Sequence, residues 1–447
     1  MARRTATAGE RRRELRDKAQ DRAAAAKPPE RREVTSEGLE VESGEEDNVY
    51  AAARNEGHKV DPRAQVIFVL VIVLVVVYLL GLVLPKNLFY TALQQSGNSN
   101  GYTLSWFVGD LQENVNGLVA VLAGNEEGGS STASTMILFL VVAMTGSAMA
   151  LSGAVYQGSF KNALVTPSTL GVMTGASLGM AFWVVFIYDE EQQGSTWFSE
   201  MDASGGIDLS AYLSTSFGYA LCCFIGCLLV VGLVLLVVRL ASSSSVSGVM
   251  MIITGQVIGG IMGAIVNTMR YYYVTVEPDG TKATLLMELQ ISSFYRSFTI
   301  VDVIIVGAAL LATFAVVMHY RSHLELLSFS EGEARSMGVE TRRVRFAVVA
   351  LCTLLTAIVV SFCGHVGFVG FLVPHLARRL VGPDNKYLLP ASVVLGAVFV
   401  LGSYVLVWMT LGSGYVTMTG MYISIFGAVV FLVTAIRGGG EARGEFR

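Results

Sequence analysis

The feature that most constrains this chain is a series of apolar runs, each long enough for a membrane helix and nearly free of charge. The first, VIFVLVIVLVVVYLLGLVL from Val66 to Leu84, contains no Asp, Glu, Lys, Arg or His. A hydrocarbon core about 30 Å thick is crossed by roughly 20 residues of α-helix. Inside it every backbone N–H and C=O must find a partner within the protein, so only helices and closed barrels can span. The runs lack the alternation of barrel strands. A chain that is 53% hydrophobic and only 15% charged is also too apolar for a soluble multidomain protein. The expected fold class is therefore an all-α polytopic membrane protein.

Spans are expected at about 65–84, from 135 through the glycine-rich GSAMALSGAVYQG, a third ending before 188, then 215–240, 249–269, 301–319, 346–363, the broken stretch opening at 364, 388–409 and 417–436. That makes about ten transmembrane helices. A polar loop of about fifty residues is expected after the first span, and a second over 188–210. Residues 270–299 read as an outside excursion with one interfacial helix. SGAVYQG followed by a turn with Pro167 is loosely echoed by CGHVGFVG followed by Pro374, which suggests two pseudo-repeated five-helix halves.

Residues 1–64 form a charge-segregated arm, with eleven Lys or Arg in 3–32 and eight Asp or Glu in 37–61. Such a tract buries too little apolar surface to fold alone, so a disordered cytoplasmic tail is expected, with a second short tail at 438–447. More than sixty residues precede the first apolar run, which argues against a cleaved signal peptide. With ten spans, Lys and Arg number 27 on one side and 4 on the other, or 13 against 4 without the arm. The positive-inside rule then places both termini in the cytoplasm, in a multi-pass cell-membrane protein.

The five cysteines lie in apolar runs without CxxC spacing, so neither disulfide nor metal site is expected. No GxxxxGK[ST] phosphate loop occurs, and no HExxH or paired-carboxylate motif falls on a membrane helix. No catalytic residue and no bound cofactor are expected. His365 and His375 are ionisable groups at membrane depth. A lone His beside a Pro reads as packed within the bundle, and no metal route through them is expected.

Three stretches carry more than packing. GHVGFVGFLVPHLARRLVGPDNKYLLP, from Gly364 to Pro390, breaks an apolar segment with Pro374 and a basic turn. SGAVYQGSFKNALVTPSTLGVMTGASLG, from Ser152 to Gly179, places small residues three and four apart, a spacing that lets helix backbones approach closely in lipid. RSHLELLSFSEGEARSMGVETRRVR, from Arg321 to Arg345, is polar and amphipathic, reading as two short helices broken at Gly338.

These stretches closely resemble the FecCD family, the permease subunits of ABC importers for iron siderophores, haem and cobalamin. Gln157, Asn162, Leu164, Pro167, Leu170, Gly171, Gly175 and Gly179 match one block of its pattern. Leu372, Pro374, His375, Arg379, Gly382, Asp384, Leu389 and Pro390 match the other. The resemblance implies that Leu326, Leu327, Glu331, Ala334, Gly338 and Val339 belong to cytoplasmic coupling helices that sit in a cleft of the ATPase. It implies a pathway lined by the fifth and tenth spans, here Gln256, Asn267, Thr419 and Ser424, closed by a cytoplasmic gate at Ser242, Ser243, Ser244, Ser245 and Ser247. The implied partners are a second permease, identical or paralogous, two ATP-binding-cassette ATPases that hold the ATP, an extracellular substrate-binding protein, and membrane lipid. No nucleic acid is expected. The chain departs from the pattern at 135–138, where Thr-Met-Ile-Leu replaces Arg-Leu-Pro-Arg, and at Val429, where the family usually has Pro. The expected function is inward transport of a ferric siderophore, related iron chelate or haem by alternating access. The alternatives are a cobalamin permease and an ion-coupled secondary transporter.

Overall fold

A computed structural model describes residues 61–84, 104–123, 126–188, 217–241, 248–276, 282, 285–286, 293–294, 298–326, 341–411 and 418–438. Residues 1–60 and 439–447 of the two expected tails, the 189–210 loop and most of 277–297 lie outside the described residues. The helices are α1 (Pro62–Val83), α2 (Leu104–Leu122), α3 (Glu126–Phe160), α4 (Val172–Phe186), α5 (Phe217–Ala241), α6 (Gly248–Val276), α7 (Ile300–His319), α8 (Arg321–Leu326), α9 (Thr341–Cys363), α10 (Val369–Val381), α11 (Asn385–Leu411) and α12 (Thr419–Gly438). Among the described residues, β-pairing is confined to one isolated bridge, Ser293 with Gly364.

Every expected span falls on a helix, and seven helices are long and apolar enough to cross a membrane. The chain is an all-α polytopic membrane protein. Two expectations change. The fifty-residue loop after the first span contains α2, an amphipathic helix hidden from a composition reading by the Asn, Gly and Ser around it. The first helix starts at Pro62 rather than at Gln65, because the Asp61 side chain accepts the Arg63 N–H and Pro62 begins the helix with its φ already set.

The 35-residue α3 is the axis of the bundle, touching α2, α7, α9, α10 and α11. Its packing is small against small: a Cβ built on Gly146 would lie 2.2 Å from the Gly396 carbonyl oxygen of α11. The α4–α5 pair repeats the device, with a Cβ on Gly179 falling 2.1 Å from Cys222 O. Apolar burial cannot drive helices together in lipid, so close backbone packing of this kind supplies the attraction. Above the Gly146 contact, Phe139 is fully buried and meets Tyr78 of α1 and Trp408 of α11 edge-on, with ring centroids 6.0 and 5.1 Å away. By contrast α1 leaves Phe68, Val69 and Val75 at least half exposed, a face suited to hydrocarbon rather than water.

Candidate functional site

The two glycine-rich motifs, more than two hundred residues apart in sequence, meet in one place. Gly153 of α3 lies against Gly370 of α10. One turn along α3, Gln157 is buried and its Nε2 donates to Gly370 O at 3.3 Å and to Phe371 O at 3.1 Å. The Gln157 Oε1 accepts a hydrogen bond from Arg378 Nη1. Pro167 flanks the contact, its Cδ within 3.5 Å of where a Gly370 Cβ would stand. Downstream, Asn162 Oδ1 accepts the Leu164 N–H at 2.9 Å, and Gly171, at φ 83°, provides the left-handed residue that lets α4 begin. Gly175 continues the seam, its Cβ position lying 2.6 Å from Gly226 O.

The two adjacent arginines of α10 take different places. Arg379 is exposed on α10, while its neighbour Arg378 reaches Gln157. Gly370, Pro374 and Arg378 are spaced at four residues and so share one helix face, whereas Arg379 is turned about 100° away. Counting that period from Pro374 would have picked out Arg378.

The start of α10 is a knot of three segments. Ser293 Oγ donates to His365 O at 2.5 Å and accepts the Gly420 N–H at 3.1 Å. Phe294 N–H donates to Cys363 O at 2.9 Å. A Cβ on Gly420 would lie 2.0 Å from His365 O, so α12 begins hard against this loop. Phe368, at φ 65°, precedes α10 in a left-handed conformation that costs a bulky residue energy, and it packs at Gly427 of α12. On the flank of α10 facing α12, Phe371 and His375 meet the Phe431 ring at 4.8 and 6.5 Å.

At its other end α10 stops at Gly382, φ 83°, and Asp384 Oδ1 accepts the Lys386 N–H at the start of α11. Arg63 of α1 lies 3.7 Å from Asp384 and over the Tyr387 ring, and the Tyr387 hydroxyl donates to Asp61 at 2.6 Å. The Tyr387 hydroxyl, followed by the Arg63 backbone N–H, holds the Asp61 carboxyl below its usual range.

The expected pathway residues divide. Gln256 and Asn267 are both exposed on α6, eleven residues apart and therefore nearly in line on one face. Gly260 and Gly263 lie on that face, and among the described residues nothing beyond the helix's own backbone lies within 4 Å of a Cβ at either. Thr419 is fully buried at the start of α12, and Ser424 is half-buried with its hydroxyl bonded back to Gly420 O, so this pair sits inside the bundle. Leu326 ends α8. The other residues expected in coupling, Leu327, Glu331, Ala334, Gly338 and Val339, and the serines 242–247 lie outside the described residues. Among the described residues, no group of three His, Cys, Asp or Glu could hold a metal. Asp302 of α7 is buried, accepting the Thr299 N–H and hydroxyl in a capping box.

The model of the FecCD transport family matches residues 100–437, a stretch that contains both motifs and the whole of their interface. The chain belongs to the FecCD transport family. Among its relatives, the Fe(3+)-citrate import system permease protein of Bacillus subtilis is 27% identical over 66% of this chain and 78% of its own length. The vitamin B12 import system permease protein of Vibrio cholerae is 26% identical over 67% of this chain and 80% of its own. The molybdate import system permease protein of Haemophilus influenzae is 29% identical over 59% and 68%. A metal-chelate type ABC transporter solved in an inward-facing conformation shares the fold, with a TM-score of 0.60 at 23% identity over 84% of this chain and 99% of that one.

Proposed function

We propose that this FecCD protein is the membrane-spanning subunit of an ABC importer that carries a ferric siderophore, related iron chelate or haem into the cytoplasm by alternating access. The observation that carries this reading is the family match over residues 100–437, together with relatives that are themselves import permeases. The protein works as a pair of permeases with two ATPases and an extracellular binding protein. ATP hydrolysis belongs to the ATPases, since the chain has no phosphate-binding loop of its own. On this reading both termini and the 321–345 coupling segment face the cytoplasm, which the excess of Lys and Arg on one side supports.

The geometry supports a transport role for the open α6 face. Its Gln256, Gly260, Gly263 and Asn267 have polar or minimal side chains, and among the described residues none from another helix lies within 4 Å of a Cβ at the two glycines. A second permease set against this face would enclose a polar route. Coupling to an ion gradient would call for a carboxylate available in a span, and Asp302 is already engaged in its helix cap. Cobalamin is the second cargo, favoured by the Vibrio cholerae relative. Competition decides between them: unlabelled ferric chelate should suppress uptake of labelled chelate by cells expressing the complex, and cobalamin should not. Suppression by cobalamin alone would reassign the cargo.

A further inference from the structure

Pro374 stands four residues after Gly370 in α10, so the backbone N–H that would normally bond Gly370 O is missing. That carbonyl still has a donor, Gln157 Nε2 of α3 at 3.3 Å, and the same amide reaches Phe371 O at 3.1 Å. The side chain of another helix thus stands where a backbone donor would be. Gln157 can do this only with its NH₂ end toward α10, and Arg378, a donor without acceptor capacity, bonds its oxygen end. Gly153 is what allows α3 close enough, since any Cβ there would overlap Gly370 O.

We propose that Gln157 acts as a surrogate for the N–H that Pro374 lacks, with Arg378 as the positioning residue that fixes its amide. This clamp sets the angle of α10 between α3 and α12 during transport. The last clause rests on the importer reading; the surrogate bond does not. A side-chain bond can open and close without unwinding a turn, so it makes a joint where a continuous helix would be rigid. The opposite flank of α10 carries Phe371 and His375 against Phe431, so a change at the joint passes directly to α12.

Hydrogen–deuterium exchange of the α10 amides in nanodisc-embedded permease reads the clamp without transport. Gln157→Leu removes the donor, and Gln157→Glu keeps an acceptor for Arg378 but cannot donate. Both are expected to speed exchange about ten- to a hundredfold, the effect of an orphaned buried acceptor. Adding Pro374→Ala restores a backbone donor to Gly370 O and should return exchange to the wild-type rate. Persistently fast exchange in the Gln157→Leu/Pro374→Ala chain would overturn the surrogate. Should Gln157→Leu fail to accumulate, Pro374→Ala in the same chain should restore accumulation, and failure to do so overturns it equally. If Arg378 acts through Gln157, Arg378→Met should add nothing to Gln157→Leu; additive acceleration would remove its positioning role. Uptake measured on the same variants tests the joint: Pro374→Ala alone should slow turnover while leaving exchange unchanged. Wild-type turnover in that variant would refute the transport clause, whereas absence of ATP-driven uptake by the wild type would refute the importer reading and leave the clamp standing.

Discussion

Gly153 of α3 and Gly370 of α10 meet backbone to backbone, so that a Cβ built on Gly153 would stand 1.9 Å from the Gly370 carbonyl oxygen. The obstacle is main chain and cannot swing aside. Gly153→Ala is therefore expected to force α3 and α10 apart and to destabilise the permease by about 1–3 kcal/mol, the usual effect of overpacking. Gly232→Ala, where no described residue of another helix lies within 4 Å of the new Cβ, should stabilise slightly through helix propensity. Melting temperatures in detergent compare the two, and an unchanged value for Gly153→Ala would mean the helices have room to spare.

Adjacent arginines on α10 should behave differently. Arg378→Met leaves the Gln157 oxygen without its donor and should cost about 1–3 kcal/mol. The exposed Arg379→Gln should stay within about 0.5 kcal/mol of wild type. Equal losses in a denaturation series would show that position, not hydrogen bonding, matters here.

The contrast between these arginines shows how far the sequence could be read. Uncharged runs such as Val66 to Leu84 determine that the chain crosses a membrane, because the bilayer restricts the available structures so strongly. Pro374 marked α10 as a broken segment, and the glycine spacing marked α3 as a close-packing helix. What pattern could not supply was the pairing in three dimensions, in which Gln157 answers a defect at Gly370 that lies 213 residues away. Thr419, put on the pathway by the family resemblance alone, is buried beside the Ser293–Gly420 contact, a neighbourhood that pattern does not reveal. The helix α2 was missed because its polar positions resemble those of the loop around it.

Where α1 meets the α10–α11 turn, the Asp61 carboxyl is held below its ordinary value, first by the Tyr387 hydroxyl. A depressed folded pKa contributes stability that is complete above the unfolded value, 3.8, and is lost as pH falls through the lower folded value. Tyr387→Phe should therefore lower the melting temperature at neutral pH, and the difference from wild type should shrink as the sample is taken into that acid range. A difference that grows on acidification would reverse the assignment.

The α6 face carries the pairing proposal. Among the described residues, none from another helix lies within 4 Å of a Cβ at Gly260, so Gly260→Phe should leave the single permease folded. Native mass spectrometry of the purified complex should nevertheless show loss of paired permeases. A pair of normal abundance would place the contact on another face.

The central claim is ATP-driven import, and reconstitution tests it most directly. Proteoliposomes carrying this permease and its ATPase, with ATP on the ATPase side and binding protein with labelled ferric chelate on the other, should accumulate label only when ATP is hydrolysed. Gly338→Pro in the coupling segment should abolish that accumulation. Accumulation driven by an ion gradient in liposomes holding the permease alone would contradict the account.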